Sequence, residues 1–582
     1  MTHGPAPEPG TGLSPGGGSP WRMTALAWAA AALLSFTGIF DHSLWTPDEP
    51  RDAEIGRAML VGGDWVVPTL AGEPFLEKPP LYWWVMAGMY RVFGVSDGTA
   101  RAVSAVAGLL TLMLLFDLMR RVTNGRAALV SVLVAGTTFG FYRHFHRAVV
   151  DPWLALFVML GYWAFVLSAY RGQGEEARNA RPWAPGVLLL YVAGGLAFLV
   201  KGLIGPATIA APVAAAILVG RRWGYLRSWA HLPGLALCAA LCALWPMMLY
   251  QRGGWDLLKV FVVDNLVYRV APPDPEAGLY VGGHRQPLWY YLPTALLMLT
   301  PWVIALPALA WWLKGERMPA EWNRGALRFL ACVLPVGVLM LSVPGTKREV
   351  YLLPLYAPLA GVVGAWLTAT ALPGYRRSLD HRTQGLLIGL LALAGIVLAA
   401  GLPAVDHIHA VRRLAGEAFG TTPPAVYGLA LLLAVGTACL AGRGWALWRA
   451  REDRGALAAP GLAALIAIVG ATALFLRADP PLNLHRLTND LKAKKVFDAP
   501  LAGFRADEVT RGLIPFDTGH TLRDFRDPAA LAAFLAANPR ARLLMLERNT
   551  THLTEEVRAK LRPVAKWPYG KRRVYCLYEF EA

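Results

Sequence analysis

The chain reads as a polytopic α-helical membrane protein ending in a small soluble α/β domain. Three observations predict this. Of 582 residues, 55% are hydrophobic and 16% charged, and mean hydropathy is +0.40, more apolar surface than one soluble core can hide. Apolar runs long enough to cross a bilayer recur along residues 23–476. Arginines gather in short groups between alternate runs.

Residues 1–22 open the chain. Gly, Pro and Ser dominate the first twenty positions, too little apolar content to fold, so a disordered cytoplasmic tail is expected. Met23 to Phe40 lacks a small-residue cleavage site and reads as a retained membrane helix. Runs of roughly 17 to 25 apolar residues give about thirteen spans, near 23–40, 100–119, 127–142, 149–170, 184–200, 203–219, 231–250, 288–312, 326–343, 350–371, 385–402, 424–441 and 457–476. Arg120, Arg121 and Arg126, then Arg171, Arg178 and Arg181, then Arg221, Arg222 and Arg227 begin a series of basic connections that continues through Lys314, Arg376 and Arg443. The positive-inside rule places these in the cytoplasm. Leu81 to Gly94 is apolar but only about fourteen residues long, too short to span, and reads as an interfacial helix.

With that parity, the connections 41–99, 143–150, 201–202, 251–287, 344–349 and 403–423 share the opposite face with everything after 477. Loops 41–99 and 251–287 carry Asp48, Glu49, Arg51, Glu77, Lys78, Asp264, Arg269 and His284. Shorter connections add Arg143, Arg147, Asp151, Lys201, Lys347 and Arg348. Charged groups packed this densely at a membrane interface are expensive to hold there and mark function.

A formal charge of +17 invites a nucleic-acid reading. The spacing of the arginines between apolar runs excludes it, because that is the footprint of topology. Of five cysteines, Cys238, Cys242, Cys332 and Cys439 lie in apolar segments, and with Cys576 they form no metal-type CxxC pair. Residues 477–582 differ in kind: Asp527-Pro528 opens an alanine-leucine helix, and 542–547 and 573–580 are strand-like, so a periplasmic α/β domain is expected, with no phosphate loop or nucleophile motif.

The DEPR-x-AE run from Asp48, the EKPPLYWW stretch from Glu77, R-x-x-x-D at Arg147 and Asp151, LVKG around Lys201, H-x-x-P-x-W-Y-Y from His284 and TK-x-x-x-YLLP from Thr346 stand in order over roughly residues 23–370. Together they resemble the lipid A aminoarabinose transferases, GT-C glycosyltransferases distantly similar to protein O-mannosyltransferases. The resemblance implies a GT-C catalytic domain over 23–476. It implies transfer of 4-amino-4-deoxy-L-arabinose from undecaprenyl phosphate to lipid A phosphates at the periplasmic face of the bacterial inner membrane, with resistance to polymyxin-like peptides as the outcome. Lys347-Arg348-Glu349 is more charged than that family's pattern there.

The residues support that chemistry on their own. A glycosyl phosphate donor needs cations for the departing phosphate, and Lys78, Lys201, Arg51 and Arg147 are the candidates. Carboxylates beside an oxocarbenium-like centre are the natural partners, with Asp48, Asp151 and Glu77 as candidates for catalysis. Tyr82, His284, Lys347 and Tyr351 are candidates for substrate binding. No cofactor is required; a divalent metal on Glu77 and His284 stays open. Plainer roles exist for each: Asp48 as a helix cap, Arg147 and Asp151 as a one-turn pair, Lys201 snorkelling to the interface, His284 as a hydrogen-bonded loop residue. Two other functions fit the composition, a transferase acting on protein or another glycan and a lipid transporter or flippase. A transporter gathers its ionisable groups near the midplane of inverted repeats, whereas here they gather at one face.

Cysteines introduced at Gly63 and Gly282 are expected to react with an impermeant thiol reagent added outside, and one at Gly125 is not. Labelling of position 125 from the periplasm overturns the orientation.

Overall fold

The computed structural model describes residues 20–45, 48–171, 182–267, 285–315, 318–372, 375, 378–404, 422–452, 455, 457–569 and 573–581. The first part is helical: α1 (Pro20–Phe36), α2 (Asp48–Gly62), α3 (Leu81–Phe93), α4 (Asp97–Val122), α5 (Gly125–Thr137), α6 (Phe139–Phe145), α7 (Asp151–Ala169) and α8 (Ala184–Lys201). Among the described residues nine helices are long and apolar enough to cross a bilayer, or up to eleven when two bent pairs each count as one span. Those pairs are α5 with α6, bent by 67°, and Leu288–Met298 with Trp302–Lys314, bent by 102°. Two expected spans fall short of this: α1 has 17 residues and Ile204–Val219 has 16. The count of thirteen is therefore not reached, although this is a multi-pass membrane protein. The 13-residue α3, at about 1.5 Å per residue, cannot cross.

Small residues set which helices lie at the centre. Tyr356–Thr370 is almost wholly buried, and it packs so closely on α5 that a Cβ at Gly364 would come within 2.6 Å of the Ser131 backbone. At the same crossing Ser131 Oγ donates to the Gly361 carbonyl at 3.1 Å. By contrast the span His231–Asn265 is mostly exposed and presents Leu232, Leu235 and Tyr250 outward, as a lipid-facing helix does.

Loop 63–80 carries a short hairpin, β1 (Thr69–Leu70) with β2 (Glu73–Pro74). Near the end of the chain a five-stranded sheet forms from β3 (Leu501–Phe504), β4 (Arg523–Phe525), β5 (Arg542–Leu546), β6 (Leu561–Tyr569) and β7 (Arg573–Phe580), in the order β4-β3-β5-β7-β6. Strand β3 is parallel to both β4 and β5, while β5, β7 and β6 pair antiparallel. Helices α9 (Glu508–Thr518) and α10 (Pro528–Ala537) make the parallel crossovers, and Asp507 and Asp527 cap them through Thr510 N at 3.0 Å and Ala530 N at 3.1 Å.

This carboxyl-terminal sheet region is fastened to the membrane bundle. His485 lies between Asp97 at the start of α4 and Asp517 of α9, 2.7 Å from each. Burial opposes its charge, but those two hydrogen bonds win and draw it up to about 10, so the clamp is ionic at neutral pH. Helix α9 lies on α2 at Gly512, where a Cβ would meet the Pro50 carbonyl at 2.6 Å and Arg51 N at 2.7 Å. Neither backbone atom can yield.

Gly512→Val is therefore expected to lift α9 from α2, at a cost of about 1–3 kcal/mol. Limited proteolysis of the purified chain reads this out as faster release of the carboxyl-terminal region. A variant as resistant as the parent refutes the close docking.

Candidate functional site

The site grows from the first turn of α2. Acidic residues suit a helix amino end, where unpaired amides carry partial positive charge, and Asp48 and Glu49 fall there, with Asp52 one turn further on. Glu49 faces inward and is 1% exposed. It accepts from Arg101 Nε at 2.9 Å, Trp45 N at 2.8 Å and Ala148 N at 2.9 Å, which is a structural role. Asp48 faces the other way, half-buried, between Arg51 at 3.1 Å and Arg348 at 2.6 Å. Burial favours its neutral form, yet Arg51 and Arg348 outweigh burial and hold the carboxyl well below the usual carboxylate range. Asp48 is thus a stable anion and a weak base.

Arg51 is a hub. It reaches Asp48, Asp52 at 3.2 Å and Glu508 of α9 at 2.6 Å. Glu77 and Lys78 arrive from the loop that follows β2, close enough to act electrostatically on Arg51 and on each other. Burial first, then Arg51, pulls the Lys78 ammonium below its ordinary value, against Asp52, Glu77 and Asp48.

A second pair stands beside the first. Asp151 opens α7, followed by Pro152 at the position that suits proline, and Lys201 closes α8, which Gly202 terminates at φ 66°. Each charge thus sits at the helix end that favours it. Lys201 Nζ donates to Asp151 and lies 4.2 Å from the centre of the Tyr351 ring. Arg348 links the two pairs, feeling Asp48, Tyr351 and Asp151 together. Arg143, Arg147, Lys201 and Arg348 all surround the buried His144 closely enough to act on it, and Arg147 makes no ion pair among the described residues.

Of the residues singled out from sequence, Asp48, Arg51, Glu77 and Lys78 form one group and Asp151, Lys201 and Tyr351 another, with Arg147 at the cationic side. Two are placed differently. Tyr82 is fully buried on the inner face of α3. Lys347 is 3% exposed and donates to the carbonyls of Pro344 at 2.6 Å and Gln286 at 3.1 Å, so it ties loop 344–348 to 285–287. His284 lies outside the described residues, and among those described no group of three or more His, Cys, Asp or Glu stands ready for a metal. Sequence reasoning gave no role to Arg348 or Glu508. The unusual charge of Lys347-Arg348-Glu349 was a signal for the first; nothing local marked the second.

Residues 77–247 match the family described as dolichyl-phosphate-mannose-protein mannosyltransferase. The chain is 32% identical over 380 residues to the undecaprenyl phosphate-alpha-4-amino-4-deoxy-L-arabinose arabinosyl transferase of Edwardsiella ictaluri, covering 65% of each chain. The protein of the same name from Pseudomonas aeruginosa is 30% identical over 385 residues, again 65% of each. The chain thus matches about 65% of the length of these curated relatives. Its fold superposes on the crystal structure of ArnT from Cupriavidus metallidurans bound to undecaprenyl phosphate with a TM-score of 0.70 at 21% identity, over 95% of this chain and 97% of that one. The chain is related in sequence to the undecaprenyl phosphate-aminoarabinose arabinosyl transferases and has the GT-C fold of the solved ArnT.

Proposed function

We propose that this chain is an integral membrane glycosyltransferase that moves 4-amino-4-deoxy-L-arabinose from undecaprenyl phosphate to phosphate groups of lipid A, at the periplasmic face of the bacterial inner membrane. The observation that carries this reading is the convergence of Arg51, Lys78, Arg147, Lys201 and Arg348 with Asp48 and Asp151, in a chain whose relatives are named for an aminoarabinose transfer. The product places a cationic sugar on a negative phosphate, which weakens binding of polymyxin-like peptides.

In this mechanism an acceptor phosphate oxygen attacks the anomeric carbon while the bond to the donor phosphate breaks, and the electron pair leaves on undecaprenyl phosphate. Lys78, Arg147, Lys201 and Arg348 hold that departing anion in a water-poor setting. Asp48, kept ionised by Arg51 and Arg348, and Asp151, paired with Lys201, face the positive charge that builds on the sugar ring. A phosphate monoester is already anionic near neutral pH, so no residue need take a proton. The match to protein mannosyltransferases over 77–247 favours a second reading with a hydroxyl acceptor. That acceptor needs a base, and Asp48, held below the usual range by Arg51 and Arg348, is poorly suited to the task.

Mass spectrometry of lipid A from cells with and without the chain tests the reaction, with a mass increment of one aminopentose expected. With purified protein, the rate is expected to rise as the acceptor phosphate loses its second proton, near pH 6, and the rising limb is expected to move when a phosphonate of different pKa replaces it. A limb that stays in place transfers the reading to the hydroxyl-acceptor mechanism. Asp48→Asn is expected to cut turnover by about two orders of magnitude or more with folding unchanged.

Lys78 gives a separate pH signature. Donor phosphate favours the ammonium, so bound Lys78 has the higher pKa and binding takes up a proton. Affinity for undecaprenyl phosphate is therefore full below the depressed pKa of Lys78 and declines as pH rises through it, a pKa that lies below the ordinary 10.5. Lys78→Met is expected to weaken binding about tenfold or more and to flatten the alkaline decline; an unchanged profile removes Lys78 from the phosphate site.

A further inference from the structure

The carboxyl-terminal sheet reverses its winding at β3. The chain passes from β3 through α9 to β4 on one side, then through α10 back across to β5 on the other. In open sheets with parallel strands, the crevice at the carboxyl ends beside such a reversal is where ligands are taken. Here each of the three parallel strands delivers an arginine to that edge: Arg505 directly after β3, Arg526 directly after β4 and Arg548 two residues past β5. All three are exposed, and none makes an ion pair among the described residues.

The acids at the same edge have partners of their own. Asp507 caps α9 and accepts from Tyr575 at 2.9 Å, Glu508 belongs to Arg51, and Asp524 accepts from Ala506 N at 2.8 Å while lying close enough to Arg511 and Arg526 to act on both. Arg505 holds a left-handed backbone at φ 49°, a conformation that non-glycine residues adopt where the surroundings impose it. Asn549 imposes it here, donating to the carbonyls of Phe504 at 3.2 Å and Arg505 at 3.0 Å. The edge looks toward the candidate site, because Glu508 reaches Arg51 at 2.6 Å and Arg511 reaches the Leu70 carbonyl at 3.3 Å.

We propose that Arg505, Arg526 and Arg548 form a docking surface for the phosphate-bearing head of the acceptor glycolipid, holding it over the membrane-face site. This rests on the reaction assigned above and gives the soluble domain a part in it. Guanidinium groups match phosphate with paired, charge-assisted hydrogen bonds, and three of them at the carboxyl ends of three strands define a surface rather than a single ion contact. Undecaprenyl phosphate, whose phosphate lies among Lys78, Arg147, Lys201 and Arg348, does not need this surface.

The test uses the full-length chain in nanodiscs of zwitterionic lipid, comparing the parent with the triple variant Arg505→Gln, Arg526→Gln, Arg548→Gln and with the triple Lys variant. Binding of lipid A, of dephosphorylated lipid A and of undecaprenyl phosphate is measured directly, alongside transfer kinetics. The expected result is at least about tenfold weaker binding of lipid A by the Gln variant, partial recovery in the Lys variant, a raised acceptor KM with kcat little changed, and unaltered binding of undecaprenyl phosphate. Dephosphorylated lipid A is expected to bind parent and variant alike. The proposal is overturned if the Gln variant binds lipid A as the parent does, or if discs of phosphatidylglycerol lose as much affinity as lipid A, which marks a general contact with anionic membrane. Absence of transfer by the parent, with these binding differences intact, sinks the assigned reaction and leaves the docking surface standing.

Discussion

The buried pair of Glu49 and Arg101 is the interaction on which the site depends. Arg101 is wholly enclosed on α4, where it also donates to the carbonyls of Ile39, His42 and Ser43. Its partner receives amides from Trp45 and Ala148. One ionic contact thus joins the segment after α1, the start of α2, the amino-terminal end of α4 and the turn before α7. A buried pair with every lone pair occupied is tolerable, but removal of one partner strands the other and costs about 3–5 kcal/mol. Asp48 is the next residue along, so its aim is inherited from Glu49.

The reactive face is a set of charges balanced against one another. Asp48 is shared by Arg51 and Arg348, and Asp151 by Lys201. On the proposed reading, an arriving phosphate would exchange partners instead of creating a new charge in a dry place. Cations that hold carboxylates at rest are oriented for an anion of similar geometry, which would limit reorganisation on binding the proposed donor.

Much of this was legible in the sequence, for definite reasons. Membrane segments announce themselves by length and apolarity, and the groups around Asp48, Lys78, Asp151 and Lys201 stood out because charge at such borders is rare. The shortfall in span number has an equally plain origin. Apolarity does not fix where a helix stops, and α1 and Ile204–Val219 end at 17 and 16 residues, while the bends between α5 and α6 and after Met298 also leave little trace in hydropathy. Rotation of a helix was also hidden. Tyr82 lies in a run full of interfacial aromatics, but the turn of α3 buries it beside Asp52 and Ser104. Lys347 and Arg348 are neighbours of like charge, yet backbone carbonyls claim the first and the reacting face receives the second. Glu508 lies 457 residues from its partner, and no local pattern reports a contact of that reach.

That contact has a consequence for biosynthesis. Arg51 is made 457 residues before Glu508, and the Gly512 surface that rests on α2 is made after Glu508. While the intervening helices are being inserted, the hub arginine lacks its third carboxylate and α2 lacks its cover. The site therefore reaches its resting charge balance only after α9 has been made, and a product truncated before α9 still carries an unfinished centre even when every described membrane helix is present.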